Sequence, residues 1–141
     1  MTLQFHQGIE DDISPIFDQA KQLIDAYEDC AHIAYDQVLA WVSAKIKENI
    51  SAYCRVTLDG QTCAYYRLCS DGEVDDLYVL SSFRGRGIGT AILEKCIAES
   101  KAPLYLYCFV NNQPALSLYR RFGFAVAEQV SHTRVILRRN G

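Results

Sequence analysis

The chain predicts an α+β fold: a mixed, mostly antiparallel central sheet flanked by helices. Three observations lead there. Residues 52–58 alternate apolar and polar side chains, and the turn signals Asp59-Gly60 and Ser70-Asp71-Gly72 lead on to two further strands at 61–68 and 73–80. Residues 13–27 and 36–46 instead carry apolar residues at helical spacing. A glycine-rich stretch at 84–89 then opens a further helix that leads to the apolar run Pro103–Val110.

Taken in order, Thr2–His6 reads as a short first strand. Ser14-Pro15 reads as a helix start, a capping side chain followed by proline at a tolerated first position. Ile13, Ile16, Phe17, Ala20, Ile24 and Tyr27 form that helix's apolar face. A second helix follows Asp36, with Val38, Leu39, Val42 and Ile46 on one side. Ala52, Cys54, Val56 and Leu58 alternate as a strand, Gln61–Leu68 returns antiparallel, and 73–80 is the third strand. A helix over about 88–100 crosses to 103–110, whose unbroken apolar character predicts burial on both faces beside a parallel neighbour. Asn112 caps another helix, Gly123 ends it, and strands near 124–130 and 132–138 close the chain.

Composition sets limits. The 141 residues suit one domain over 1–141 that buries roughly two-thirds of its unfolded surface. A net charge of −3 and a pI near 5.5 argue against general nucleic-acid binding. No apolar run has the roughly 18 residues of a membrane span, and the first residues carry neither the basic region nor the apolar run of a signal peptide. Cys30, Cys54, Cys63, Cys69, Cys96 and Cys108 include no C-x-x-C pair. Free thiols in a reducing cytoplasm are expected, with no metal and no disulfide framework. His6, His32 and His132 show no ligand spacing.

The stretch Arg84-Gly85-Arg86-Gly87-Ile88-Gly89-Thr90 carries the chemistry. Glycines let a backbone approach a ligand closely, a helix start offers unpaired N–H groups and partial positive charge, and two arginines add full charge. That combination suits a phosphate or pyrophosphate. It is not a dinucleotide fingerprint, because Thr90 stands at the last glycine and Ser81–Arg84 separate the loop from the strand; it is not a P-loop, because no lysine follows Gly89. The remaining pattern is R-x-x-G-x-G. The plain alternative is a tight turn with solvated arginines.

A second pattern, Asn112-x-x-Ala115-x-x-x-Tyr119-x-x-x-Gly123-Phe124, follows. With Val79, Phe83, Arg84, Gly85, Gly87, Ile88 and Gly89 it resembles the GNAT superfamily of N-acetyltransferases. Ser81 stands where that family often has proline. The resemblance covers about 73–124 and implies a V-shaped splay between the strands near 73–80 and 103–110. It further implies acetyl-CoA as the acyl-donor cosubstrate, lodged in that splay. Leu77, Tyr78 and Val79 would then contact the pantetheine arm, Arg84, Gly85, Arg86, Gly87, Ile88, Gly89 and Thr90 the pyrophosphate, and Asn112 the arm from the other side. The acceptor would be a primary amine attacking directly in a ternary complex, in the cytoplasm; a homodimer is compatible with this reading.

Acetyl transfer needs a base for the ammonium, a donor for the oxyanion and an acid for the thiolate. Glu73, six residues before Val79, is the candidate base, against a plain solvated turn residue. Asp75 shares its nominal face, and Asp76 points the other way unless a bulge intervenes. Glu28 and Asp29 are alternatives for base or for selecting a cation, against a solvated helix end. Tyr119 is the candidate acid, against an amphipathic core tyrosine. Cys108, on an apolar run with no neighbouring histidine, is read as packing rather than an acyl carrier. Two further readings are a non-catalytic acyl-CoA sensor and an interaction module that uses the first two helices.

Overall fold

Turn chemistry and apolar spacing produce eleven regular elements, which the computed structural model describes within residues 2–140. They are β1 (Leu3–Gln7), α1 (Ile13–Tyr27), α2 (Tyr35–Asn49), β2 (Tyr53–Leu58), β3 (Gln61–Leu68), β4 (Val74–Val79), α3 (Ile88–Glu99), β5 (Tyr105–Phe109), α4 (Gln113–Arg121), β6 (Phe124–Gln129) and β7 (Arg134–Arg139). Strands β1-β2-β3-β4 form one sheet, antiparallel throughout, and β5-β7-β6 form a second. Asp59-Gly60, at φ 49° and 88°, makes the tight β2–β3 turn.

The two sheets meet at one point. Glu73 and Tyr105 form an isolated parallel bridge, with the Tyr105 N–H donating to the Gly72 carbonyl at 3.0 Å. Gly72 is required there twice over: its φ is +99°, and a Cβ would lie 2.2 Å from the Pro103 carbonyl oxygen. Past this hinge β4 and β5 share no ladder among the described residues, so they splay toward Val79 and Phe109.

Helices close both faces. On one side α3 and α4 bury Ile88, Ile92, Leu93, Cys96 and Leu116 against Val56, Ala64, Val74, Leu106 and Leu137. On the other, α1 and α2 bury Ile16, Ala20 and Ile46 against Tyr53, Tyr65 and Tyr78. Each fully buried isoleucine contributes about 1.5–3 kcal/mol of transfer free energy.

Three expectations need correction. The first helix starts at Ile13, one residue before Ser14, because Asp12 takes the Ile9 N–H at 3.0 Å and shapes a preceding 3-10 turn. Glu73 precedes β4 and belongs only to the bridge. Strand β5 is covered on one face: Leu106 and Cys108 are buried, whereas Tyr107 is 42% exposed, and its ladder is antiparallel with β7. Arg134 and Arg138 lie over the rings of Tyr107 and Tyr105, which lets an aromatic strand face remain partly open to water.

Candidate active site

The splay between β4 and β5 points at the glycine-rich loop. Gly87 caps α3 with φ +78°, and Gly85 has φ +77°. A Cβ at either position meets nothing within 4 Å, so the space above both backbones is open. Gly89 differs: it lies inside α3, and a Cβ there would sit 3.1 Å from Leu118 Cδ2, so this glycine lets α3 approach α4. Arg84 Nε donates to the Val79 carbonyl at 3.3 Å, and Arg86 stacks on the Phe83 ring at 5.4 Å. Among the described residues neither guanidinium is paired with a carboxylate. Ile88 is buried beneath the loop, and Thr90 is partly covered on the first turn of α3.

Strand β4 is bulged. Tyr65 pairs Tyr78 and Arg67 pairs Asp75, so Asp76 and Leu77 together oppose the single residue Tyr66. The hydrogen bonds agree: the Glu73 carbonyl accepts from the Cys69 N–H, and the Leu80 N–H donates to the Cys63 carbonyl, each at 2.8 Å. Residues seven apart cannot both face β3 in an unbroken alternation. The inserted residue therefore turns the backbone of Val79 away from β3, toward the splay. The Val79 side chain and that of Leu77 pack with the α3/α4 core, while Tyr78 is buried under α1 and α2.

The acidic run sorts itself around this bulge. Asp75 meets Arg67 at 2.7 Å and Lys45 at 3.1 Å. Asp76 takes Lys45 at 2.9 Å and the hydroxyls of Tyr53 and Tyr78 at 2.5 Å each. Both carboxylates thus reach one lysine of α2. Burial opposes the Lys45 charge, but Asp76 and Asp75 outweigh it and raise the lysine above its ordinary value. Burial, then the Asp76 charge, raises the phenols of Tyr53 and Tyr78. Glu73 is half-buried at the hinge. Burial first, and the nearby Asp75 charge second, hold its carboxyl above the usual range.

On the other wall, Asn112 Oδ1 accepts the Ala115 N–H at 3.4 Å and so caps α4 as expected. Tyr119 is buried, its ring 5.9 Å from that of Phe124, and its hydroxyl makes no hydrogen bond among the described residues. The one sealed polar side-chain atom without a partner among those residues is Arg67 Nε, so the Tyr119 hydroxyl still reaches accessible surface. Burial, with Cys108 beside it, keeps the phenol protonated well above neutral pH. Burial also pushes the Cys108 thiol up to about 11, which suits packing rather than nucleophilic attack.

Glu28 and Asp29 are not a solvated helix end. Glu28 Oε1 accepts the Thr133 hydroxyl at 2.5 Å, and Asp29 meets His32 at 2.9 Å and His132 at 3.2 Å. Tyr27 stacks on Phe109 with centroids 6.0 Å apart. The end of α1 is thereby clasped to the β6–β7 turn, and two histidines isolated in sequence converge on one carboxylate. Cys69, Asp71 and Glu73 also converge, with ligand atoms within 4.8 Å of one another, although the Tyr105 hydroxyl and Glu73 N–H already engage Asp71. Neither grouping was legible from spacing, because each depends on tertiary contacts or a turn. Among the described residues no helix is long and apolar enough to cross a membrane.

The splayed strands, the loop and the N-x-x-A-x-x-x-Y helix are one arrangement, and the Acetyltransferase (GNAT) family model matches residues 6–124. This chain belongs to that family. An N-alpha-acetyltransferase of Sulfurisphaera tokodaii is 28% identical over 62% of this chain and 64% of its own length. The chain spans less than two-thirds of the length of each curated relative it matches. The GNAT fold recurs in the solution structure of apo-form YjaB from Escherichia coli (TM-score 0.75, 17% identity, covering 100% of this chain and 99% of that one). It recurs also in the PaiA N-acetyltransferase of Thermoplasma acidophilum in complex with coenzyme A (TM-score 0.67, 14% identity, 100% of both chains).

Proposed function

We propose that this protein is an N-acetyltransferase that moves an acetyl group from acetyl-CoA to a primary amine by direct attack in a ternary complex. The observation that carries the proposal is the splay between β4 and β5, which ends at an open, left-handed glycine loop on the N-terminus of α3. The family membership and the coenzyme A complex of the Thermoplasma acidophilum protein support the choice of acyl donor.

In this reading the loop amides at 85–89 and Arg84, Arg86 and Thr90 bind the pyrophosphate, using the α3 dipole and the absence of acidic partners. Val79 offers backbone to the pantetheine arm as an added strand, with Leu77 and Tyr78 beside it on β4. The Asn112 side-chain nitrogen, left over from the cap, serves the same arm from α4. The thioester supplies an activated acyl carbon. The Val79 N–H faces the splay and serves the oxyanion that develops on the carbonyl oxygen.

Proton traffic falls to two groups. Glu73 takes the proton of the incoming ammonium through a chain of ordered waters, because six residues of strand separate it from Val79, and its raised carboxyl suits a base better than an ordinary glutamate. Tyr119 gives its proton to the departing thiolate from an otherwise unpartnered hydroxyl. Glu28 and Asp29 are engaged in the clasp, which favours Glu73 as the base. A non-catalytic acyl-CoA sensor would use the same pocket but has no use for an unpartnered Tyr119 hydroxyl. Thiol release from acetyl-CoA in the presence of a panel of amines tests the proposal.

A further inference from the structure

Asp76 is a position in β4 that the proposed chemistry leaves unused. Its φ is +49°, in the left-handed region, and it takes the first position of the bulge, where this type of bulge ordinarily carries glycine. An aspartate held there, its side chain only 9% exposed, needs compensation from its surroundings. Three donors supply it: one ammonium and two phenol hydroxyls, from α2, β2 and β4, all donate to its carboxylate.

We propose that Asp76, held by Lys45, Tyr53 and Tyr78, is a positioning residue that fixes the β4 bulge and so presents the Val79 amide to the acyl donor. The three donors fix the side chain, the fixed side chain holds the left-handed backbone, and the left-handed backbone inserts one residue opposite Tyr66. That insertion turns the Leu80 N–H onto the Cys63 carbonyl and leaves Val79 facing the splay. Without it, alternation from Glu73 would turn Val79 toward β3 and Tyr78 toward the splay. Lys45 also ties the bulge to α2, so the helix on the opposite face of the sheet bears on the donor site. Asp76 itself touches no reacting atom. The inference rests on the proposed acetyl transfer for its catalytic meaning, but its structural content stands apart from it.

Amide exchange in the free proteins reads the bulge directly. Asp76→Ala is expected to speed Leu80 amide exchange at least tenfold and to shift the Val79 amide signal, while α3 amides stay protected. Asp76→Asn tolerates the left-handed conformation and keeps an acceptor oxygen, so it is expected to restore most of the protection. Unchanged exchange at Leu80 in Asp76→Ala overturns the inference whether or not the wild type has activity. With acetyl-CoA and an amine that the wild type accepts, turnover is expected to fall at least tenfold in Asp76→Ala and within threefold in Asp76→Asn, with the 84–89 amides responding to coenzyme A in both. Equal loss in the two variants would instead mark the charge as reacting and overturn the positioning role. If Asp76→Ala does not fold, Tyr53→Phe and Lys45→Met each remove one donor; faster Leu80 exchange supports the inference, and wild-type exchange in both overturns it. A wild type that binds no acetyl-CoA would sink the proposed function while the exchange result still decides this one.

Discussion

Replacing Gly87 and Gly89 separately distinguishes a ligand-facing glycine from a packing glycine. At Gly87 the backbone sits at φ +78°, and a β-carbon added there would have nothing within 4 Å. Alanine there costs about 1–2 kcal/mol for the left-handed conformation and lowers Tm by roughly 3–8 °C. That strain is present with and without ligand, so it does not alter affinity. Affinity falls for a second reason: the methyl occupies the space a phosphate needs to reach the loop amides. Losing one charge-assisted hydrogen bond, about 1.5–3 kcal/mol, weakens coenzyme A binding roughly 10- to 150-fold. At Gly89 the methyl meets Leu118 Cδ2 at 3.1 Å, the tip of a rotatable side chain that yields by a few tenths of an ångström. Alanine also improves helix propensity by up to about 1 kcal/mol, so stability and affinity both stay near wild type. Calorimetry with coenzyme A and thermal melts on the two variants make the comparison. A folded Gly87→Ala protein with unchanged affinity would refute the loop as the pyrophosphate site.

Tyr119→Phe is expected to keep coenzyme A affinity and cut the single-turnover rate by roughly 10²-fold or more, the lower range for a positioned acid; a near-normal chemical rate would reduce the residue to packing. Glu73→Gln is expected to lower turnover mainly below about pH 8, where an amine with a lysine-like pKa is almost fully protonated, and to remove an acidic limb that lies above the ordinary carboxylate range. The same shift has a stability consequence. Because folding raises the Glu73 carboxyl, its stabilising contribution is complete below the unfolded value and is lost as pH rises through the folded one, so Glu73→Gln gains stability over wild type on going from about pH 4 to 7 in urea melts. Asn112→Ala removes the α4 cap at a cost of about 1 kcal/mol and weakens coenzyme A binding as well; loss of stability alone would confine Asn112 to capping.

The elements near the site were legible because their signals are local. Asp59-Gly60 specifies its own hairpin, helical spacing finds α1 and α2, and the glycine loop lies where a strand hands over to α3. The two motifs together supplied the family and the splay. What local pattern could not supply depends on tertiary partners. Alternation assigned Asp75 and Asp76 to opposite faces, and a single inserted residue brought both onto Lys45. Glu28 and Asp29 read as solvated because the Thr133 and His132 that engage them lie about a hundred residues away. Gly89 matches the loop pattern as well as Gly87 does, and only the proximity of Leu118 separates their roles. The apolar run at 103–110 overstated burial because arginines of β7 cover the rings of β5 without excluding water.

Amine-dependent thiol release from acetyl-CoA is the decisive assay for acetyl transfer at this site. The protein is titrated with acetyl-CoA by calorimetry and then assayed for free thiol against small amines, amino acids, aminoglycosides and peptides with free N-termini or lysines. The expected result is saturable acetyl-CoA binding, thiol release that requires one class of these amines, and an acetylated amine in equal amount by mass spectrometry. Binding with no release against any amine would contradict catalysis and favour a sensor, and absence of binding would contradict the site itself.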